Sequence, residues 1–120
     1  MKKVIVLGAS PKEDRYSNKA VKMLSEFGYE VIPVSPSGAI IHNIQSIKKL
    51  NECPINADTI TVYVNPEISK NMVADFISLK PRRIILNPGT ESATLETACA
   101  AAGIKVIRAC TLVLLQTAQF

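Results

Sequence analysis

Apolar residues in this chain gather in short runs, separated by stretches where they recur every third or fourth position. Val4–Leu7, Val31–Val34, Ile60–Val64 and Ile84–Leu86 are the clear runs, and Val106–Ile107 is a weaker fifth. Their β-branched content and lack of polar alternation predict strands buried on both faces, as in a parallel sheet. Between them lie helical patterns. Ala20, Val21, Leu24 and Phe27 share one face, and Gly28 follows as a stop. Asn65-Pro66-Glu67 predicts a second helix start, with a capping side chain, a proline at the first position and an early carboxylate; Ile68, Met72, Val73 and Phe76 continue it. A third helix is predicted from near Thr90-Glu91 to Gly103, with Leu95, Ala98, Cys99 and Ala102 inward, and "TLVLLQTAQ" reads as a short last helix.

Alternating strands and helices predict right-handed crossovers and a three-layer, Rossmann-like, doubly wound α/β fold, with residues 1–120 forming one domain. The segment Ser35–Pro54 is less regular. Ile40, Ile41 and Ile44 are read as a short edge strand and Ser46–Asn51 as one or two helical turns. Counting that edge strand as the third gives the expected order 3-2-1-4-5-6. A ligand crevice is then expected beyond the C-terminal ends of strands 1 and 4, where the order reverses. Gly8–Pro11, Val64–Pro66 and Asn87–Thr90 would surround it.

Composition narrows the function. Lysine and arginine exceed acidic residues by 14 − 10 = 4, a mild excess spread along the chain. It favours a small anionic ligand over a nucleic-acid surface. No apolar stretch approaches the roughly 20 residues of a membrane span, and the start Met1-Lys2-Lys3 leads into an apolar run too short for a signal peptide. Cys53, Cys99 and Cys110 show no paired or metal-ligand spacing, which predicts reduced thiols and a cytoplasmic protein.

The first βα turn, "GASPKEDRYSN", carries the candidate chemistry. Gly8 permits a sharp turn and a close ligand approach, Ala9 and Ser10 keep that approach open, and Ser17 is read as the cap of the following helix. Lys12, Arg15 and Lys19 add positive charge. The end of the second strand reads Val34-Ser35-Pro36. It lacks the acidic residue that holds a nicotinamide cofactor's ribose, and the turn lacks two of the three fingerprint glycines. An apolar rim of this kind suits an adenine held by packing.

"GAS", "GYEVIPVSP", "ADTITVYVNP", "NPGTES" and "ACTLV" occur in that order, over nearly the whole chain. Together they resemble a small stand-alone CoA-binding domain protein, similar to the CoA-binding domain of the succinyl-CoA synthetase alpha subunit. The resemblance implies coenzyme A as the bound cofactor. It implies that Gly8, Ala9 and Ser10 line the pyrophosphate, with Ser17 and Asn18 flanking it. Val34, Ser35 and Pro36 would border the adenosine half, and Asn65, Pro66, Asn87, Pro88 and Gly89 the pantetheine side. The chain departs from that pattern at Ser35, where the family usually has Asn, and at Asn43, where a glycine is common. Beside the resemblance, charge makes Arg15 or Lys12 the candidate for the 3′-phosphate.

Catalytic machinery is not expected. His42 is the only histidine and reads as an edge residue, and no carboxylate pair is placed for acid–base work. Asp58, ahead of its strand, reads as structural. The leading expectation is a non-catalytic CoA or acyl-CoA binding protein without a bound metal. The alternatives are a small enzyme using Cys110 on an acyl-CoA, a nucleotide-dependent oxidoreductase, and an interaction module with an empty crevice. Cys110 reads first as a small buried residue, and second as a thiol activated at a helix start. The apolar run Leu112–Leu115 leaves a homo-oligomer open.

Overall fold

The computed structural model describes residues 2–120. Five strands form one parallel sheet: β1 (Lys3–Leu7), β2 (Glu30–Val34), β5 (Thr59–Val62), β6 (Arg83–Leu86) and β7 (Lys105–Arg108), in the order β2-β1-β5-β6-β7. Two short strands, β3 (Ile40–Ile41) and β4 (Ile44–Gln45), pair antiparallel in a separate hairpin.

Both faces of the sheet are covered, so its strands are apolar almost without interruption. In β1, Ile5 and Leu7 point to one core and Val4 and Val6 to the other. The first core takes Phe76 and Leu79 from α3 (Val73–Leu79) and Leu95 and Cys99 from α4 (Ala93–Ala101). The second takes Val21 and Leu24 from α1 (Tyr16–Glu26) and Leu115 from α5 (Thr111–Gln116). The three-layer arrangement is therefore present, with α1 and α5 on one side and α3 and α4 on the other.

The expected strand order needs correction. The segment after β2 does not become a sixth parallel strand. His42 and Asn43 both adopt positive φ, 47° and 66°, which closes a two-residue hairpin turn. Only one parallel bridge, Val34 to Ile47, reaches the edge of β2. There Ile47 donates to the Pro33 carbonyl (2.8 Å) and Ser35 donates to the Ile47 carbonyl (2.9 Å). The outward backbone group of Pro33 has no N–H to give, so a full ladder cannot grow on that edge. The helical turn expected over Ser46–Asn51 is a single 3₁₀ turn, Leu50–Glu52.

Two helix boundaries also differ. Ser17 does not cap α1: the helix begins at Tyr16, Arg15 takes the cap position without a side-chain bond, and Ser17 lies inside, buried. The third predicted helix starts later than Thr90-Glu91, capped by Ser92, whose hydroxyl accepts from the Leu95 N–H. At the second helix the Asn65 side chain accepts from the Ile68 N–H and Pro66 follows at the first position, as the residues predict. That helix is short: α2 (Pro66–Ser69) leads through a 3₁₀ turn, Lys70–Met72, into α3.

Candidate functional site

A cleft of about 320 Å³ opens over the C-terminal ends of β1, β5 and β6. Its walls are Gly8, Ser10, Arg15, Tyr16, Ser17, Tyr63, Asn65, Pro88, Gly89 and Thr90. Sharing Tyr16, Tyr63 and Pro88 with it is a second pocket of about 420 Å³, completed by Asn87, Cys110, Leu112, Val113 and Gln116. The first holds a guanidinium, and the second contains no charged side chain. A third hollow, of about 600 Å³, lies among Lys2, Lys3, Asp58, Lys80 and Arg82. It sits at the opposite ends of the strands, away from the topological switch.

Gly8 makes the cleft possible by letting β1 end hard against β5. It has φ +86°, and a Cβ there would lie 2.9 Å from Val64 Cγ1 and 3.0 Å from the Tyr63 carbonyl carbon. The N–H groups of Gly8 and Ala9 both donate to the Val34 carbonyl, at 3.1 and 3.0 Å. The Ala9 side chain is buried in the core beside α1. Past Gly8 and Ala9, the Ser10 N–H on the cleft wall has no partner among the described residues, and further free donors stand at the helix start. Asn18 and Lys19 donate to the Arg15 carbonyl, while the N–H groups of Tyr16 and Ser17 have no partner among the described residues. An eleven-residue helix presenting unpaired N–H groups and a positive dipole end to a cleft suits an anion. On the opposite rim the Glu91 carboxylate accepts from the Gly89 N–H at 2.9 Å.

The turn is held from behind. Asn18, buried, donates from its amide to the Ser10 carbonyl (2.9 Å), and its carbonyl faces His42 Nε2 at 2.7 Å. The Ser10 hydroxyl accepts from the Lys12 N–H at 3.1 Å.

The floor of the uncharged pocket is a buried polar network. Asn87 donates to the Thr61 hydroxyl (2.7 Å) and the Val62 carbonyl (2.9 Å) and accepts from the Thr111 N–H (2.9 Å). The Thr61 and Thr111 hydroxyls share a bond of 2.7 Å. These bonds pin the start of α5 over β5 and β6. Beside them the Tyr63 hydroxyl is buried without a partner of hydrogen-bonding geometry. Burial pushes its phenol up to about 12, against the pull of the neighbouring Thr111 and Thr61 hydroxyls. Cys110 is half-buried on the wall of this pocket, whereas burial pushes Cys53 up to about 11 and raises Cys99.

Of the residues expected at a site, Gly8, Ser10, Arg15, Ser17, Asn65, Pro88 and Gly89 converge on the first cleft, and Asn87 and Pro88 on the second pocket. Ala9 and Asn18 lie behind the turn. Val34, with its carbonyl holding the turn, and Ser35, sharing a 3.0 Å bond with Ser37, are buried. Pro36 is exposed, and it, Val34, Ser35 and Pro66 line neither pocket. Lys12 is exposed outside the cleft walls. Thr90, expected at the crevice edge, lines the first cleft, and the sequence reading missed Tyr16, Tyr63, Leu112, Val113 and Gln116. Tyr63 had a signal: it is the first large amphipathic residue beyond the Ile60–Val62 core run. Among the described residues no group of His, Cys, Asp or Glu is placed to hold a metal ion, and no helix is long and apolar enough to cross a membrane.

A parallel sheet with the order β2-β1-β5-β6-β7 and a helix start aimed at the switch between β1 and β5 defines a Rossmann-like α/β class. Residues 2–116 match the family described as CoA binding domain, and the chain belongs to that family. The chain is also 37% identical to an uncharacterized protein of known crystal structure, over 100% of this chain and 98% of that one, with a TM-score of 0.93. It is 28% identical over 76 residues to the uncharacterized protein YneT of Bacillus subtilis, a match spanning 63% of this chain and 56% of that protein. A dinucleotide-forming acetyl-coenzyme A synthetase of Ca. Korarchaeum cryptofilum shares the fold, with a TM-score of 0.74 at 15% identity over 88% of this chain and 25% of that one.

Proposed function

We propose that this protein binds coenzyme A or an acyl-CoA, with the diphosphate at the start of α1 and the pantetheine arm along the uncharged pocket toward Cys110. The observation that carries this reading is the junction of two unlike spaces. One offers unpaired N–H groups and Arg15, and the other is uncharged and lined by Tyr63, Pro88, Leu112 and Val113. A ligand with a diphosphate at one end and an uncharged arm fits both. Family membership supports the same ligand. In this reading Gly8, Ser10 and Ser17 line the diphosphate and Arg15 pairs with a phosphate. Asn65, Asn87, Pro88 and Gly89 border the arm, and Val34, Ser35 and Pro36 support the adenosine side. In this reading the role is to hold the ligand.

A thermal-shift panel of CoA, acetyl-CoA, ATP and NAD tests the reading. A ligand present at 100 times its Kd adds about 2.7 kcal/mol to stability. The CoA species are expected to raise Tm and NAD to leave it unchanged. A rise with NAD and none with either CoA species would overturn the proposal.

A further inference from the structure

We infer that His42 is a positioning residue for the ligand turn, and that the β3–β4 hairpin is the strap that carries it; the inference rests on the CoA reading. The Ser10 carbonyl can only accept, so the Asn18 nitrogen must face it, as it does at 2.9 Å. That leaves the Asn18 oxygen toward His42 Nε2, 2.7 Å away, and an oxygen there needs a donor. His42 Nε2 is therefore the donor of this bond. Asn18 is only 4% exposed with His42 beside it, and both line a hollow of about 570 Å³, so without His42 water takes the donor's place and the amide loses the contact that fixes its orientation.

His42 is exposed, and its place comes from its neighbours. Ile41 is 1% exposed and packs into the core beside α1, and His42 and Asn43 hold the tight turn through φ values of 47° and 66°. A segment outside the sheet thus reaches across to the first turn of α1 and orients the Ser10 peptide. Within the same turn the Ser10 hydroxyl accepts from the Lys12 N–H. The turn is set before a ligand arrives, which lowers the ordering cost of binding. Coupling of this kind is reciprocal, so a ligand in the cleft must also steady the hairpin.

The test compares the intact chain with His42→Ala and His42→Gln by calorimetric titration with CoA and by amide hydrogen exchange. Removing one net hydrogen bond should weaken CoA binding about fivefold in His42→Ala. His42→Gln, which keeps a donor, should recover most of that loss. CoA should slow exchange over residues 39–45 in the natural chain and not in His42→Ala. Unchanged affinity in His42→Ala, an equal loss in both variants, or hairpin exchange indifferent to CoA would overturn the inference while leaving CoA binding intact. If the natural chain binds no CoA, the parent reading falls and this one with it.

Discussion

Replacing Gly8 by alanine tests the packing that creates the cleft. Two penalties act there. The backbone sits at φ +86°, and an L residue in that region costs about 1–2 kcal/mol. The new methyl would also lie 2.9 Å from Val64 Cγ1, 3.0 Å from the Tyr63 carbonyl carbon and 3.2 Å from its oxygen. The Val64 methyl can turn aside, but the Tyr63 backbone is tied to β1 by its bond to the Leu7 carbonyl at 2.8 Å. Overpacking of that kind adds about 1–3 kcal/mol. Gly8→Ala should therefore lose about 2–5 kcal/mol in all. Gly28 supplies the control, with φ +88° and nothing within 4 Å of an added Cβ. Gly28→Ala should lose only the backbone share, about 1–2 kcal/mol. Urea unfolding of both variants measures the difference, and for a chain of this length each kcal/mol moves Tm by about 4 °C. Because Gly8→Ala pushes Tyr63 and Val64, it should also weaken CoA binding, and Gly28→Ala should not. Equal losses in the two variants, with CoA affinity unchanged in both, would refute the close approach of β1 to β5.

Three further outcomes are expected. Asn87→Ala removes three buried hydrogen bonds and strands the Thr111 N–H, so urea unfolding should show a loss of about 2–4 kcal/mol; a loss under 1 kcal/mol would mean α5 is held by other contacts. Burial raises the Asp58 carboxyl, but hydrogen bonds from Arg82 and Thr59 and the charges of Arg82 and Lys2 outweigh it and leave the group below its ordinary value. Its stabilisation is then complete above an unfolded value near ~3.9 and disappears as pH falls through the lower folded value. Arg82→Ala should flatten the stability–pH curve below about pH 4, and an unchanged slope there would contradict the pairing. Iodoacetamide followed by peptide mass spectrometry should modify Cys110 before buried Cys53 and Cys99, with CoA slowing Cys110 alone; equal rates at all three would place Cys110 away from the pocket.

The parallel sheet was legible because burial on both faces leaves a plain mark: unbroken apolar runs rich in β-branched residues at Val4–Leu7 and Ile84–Leu86. What the runs did not show was which of them could accept another neighbour. Pro33 carried that information, since a proline within a run marks a strand edge, and the reading passed over it. His42-Asn43 carried the rest. Asparagine tolerates the left-handed conformation that glycine takes, so Asn43 fills the place of the missing glycine at φ 66° and closes the hairpin. At the helix starts, Asn65 and Pro66 behaved as local chemistry dictates. Ser17 did not, because the cap falls two residues earlier, at Arg15, and that hydroxyl is drawn into the interior. Apart from Arg15 and Ser17 at the start of α1, the cleft residues that were found lie on loops after strands, where sequence position and spatial position coincide. Tyr16, Leu112 and Val113 escaped because only the packing of α5 beside α1 brings them to the same pocket.

The central claim is that α1, rather than the backbone of Gly8 and Ala9, grips the ligand's phosphates. Titrating ¹⁵N-labelled protein with CoA and following backbone amides tests it directly. The account predicts large shifts at Tyr16 and Ser17, whose N–H groups are free, and small ones at Gly8 and Ala9, which stay bonded to Val34. Large shifts at Gly8 and Ala9 with Tyr16 and Ser17 unmoved would contradict it.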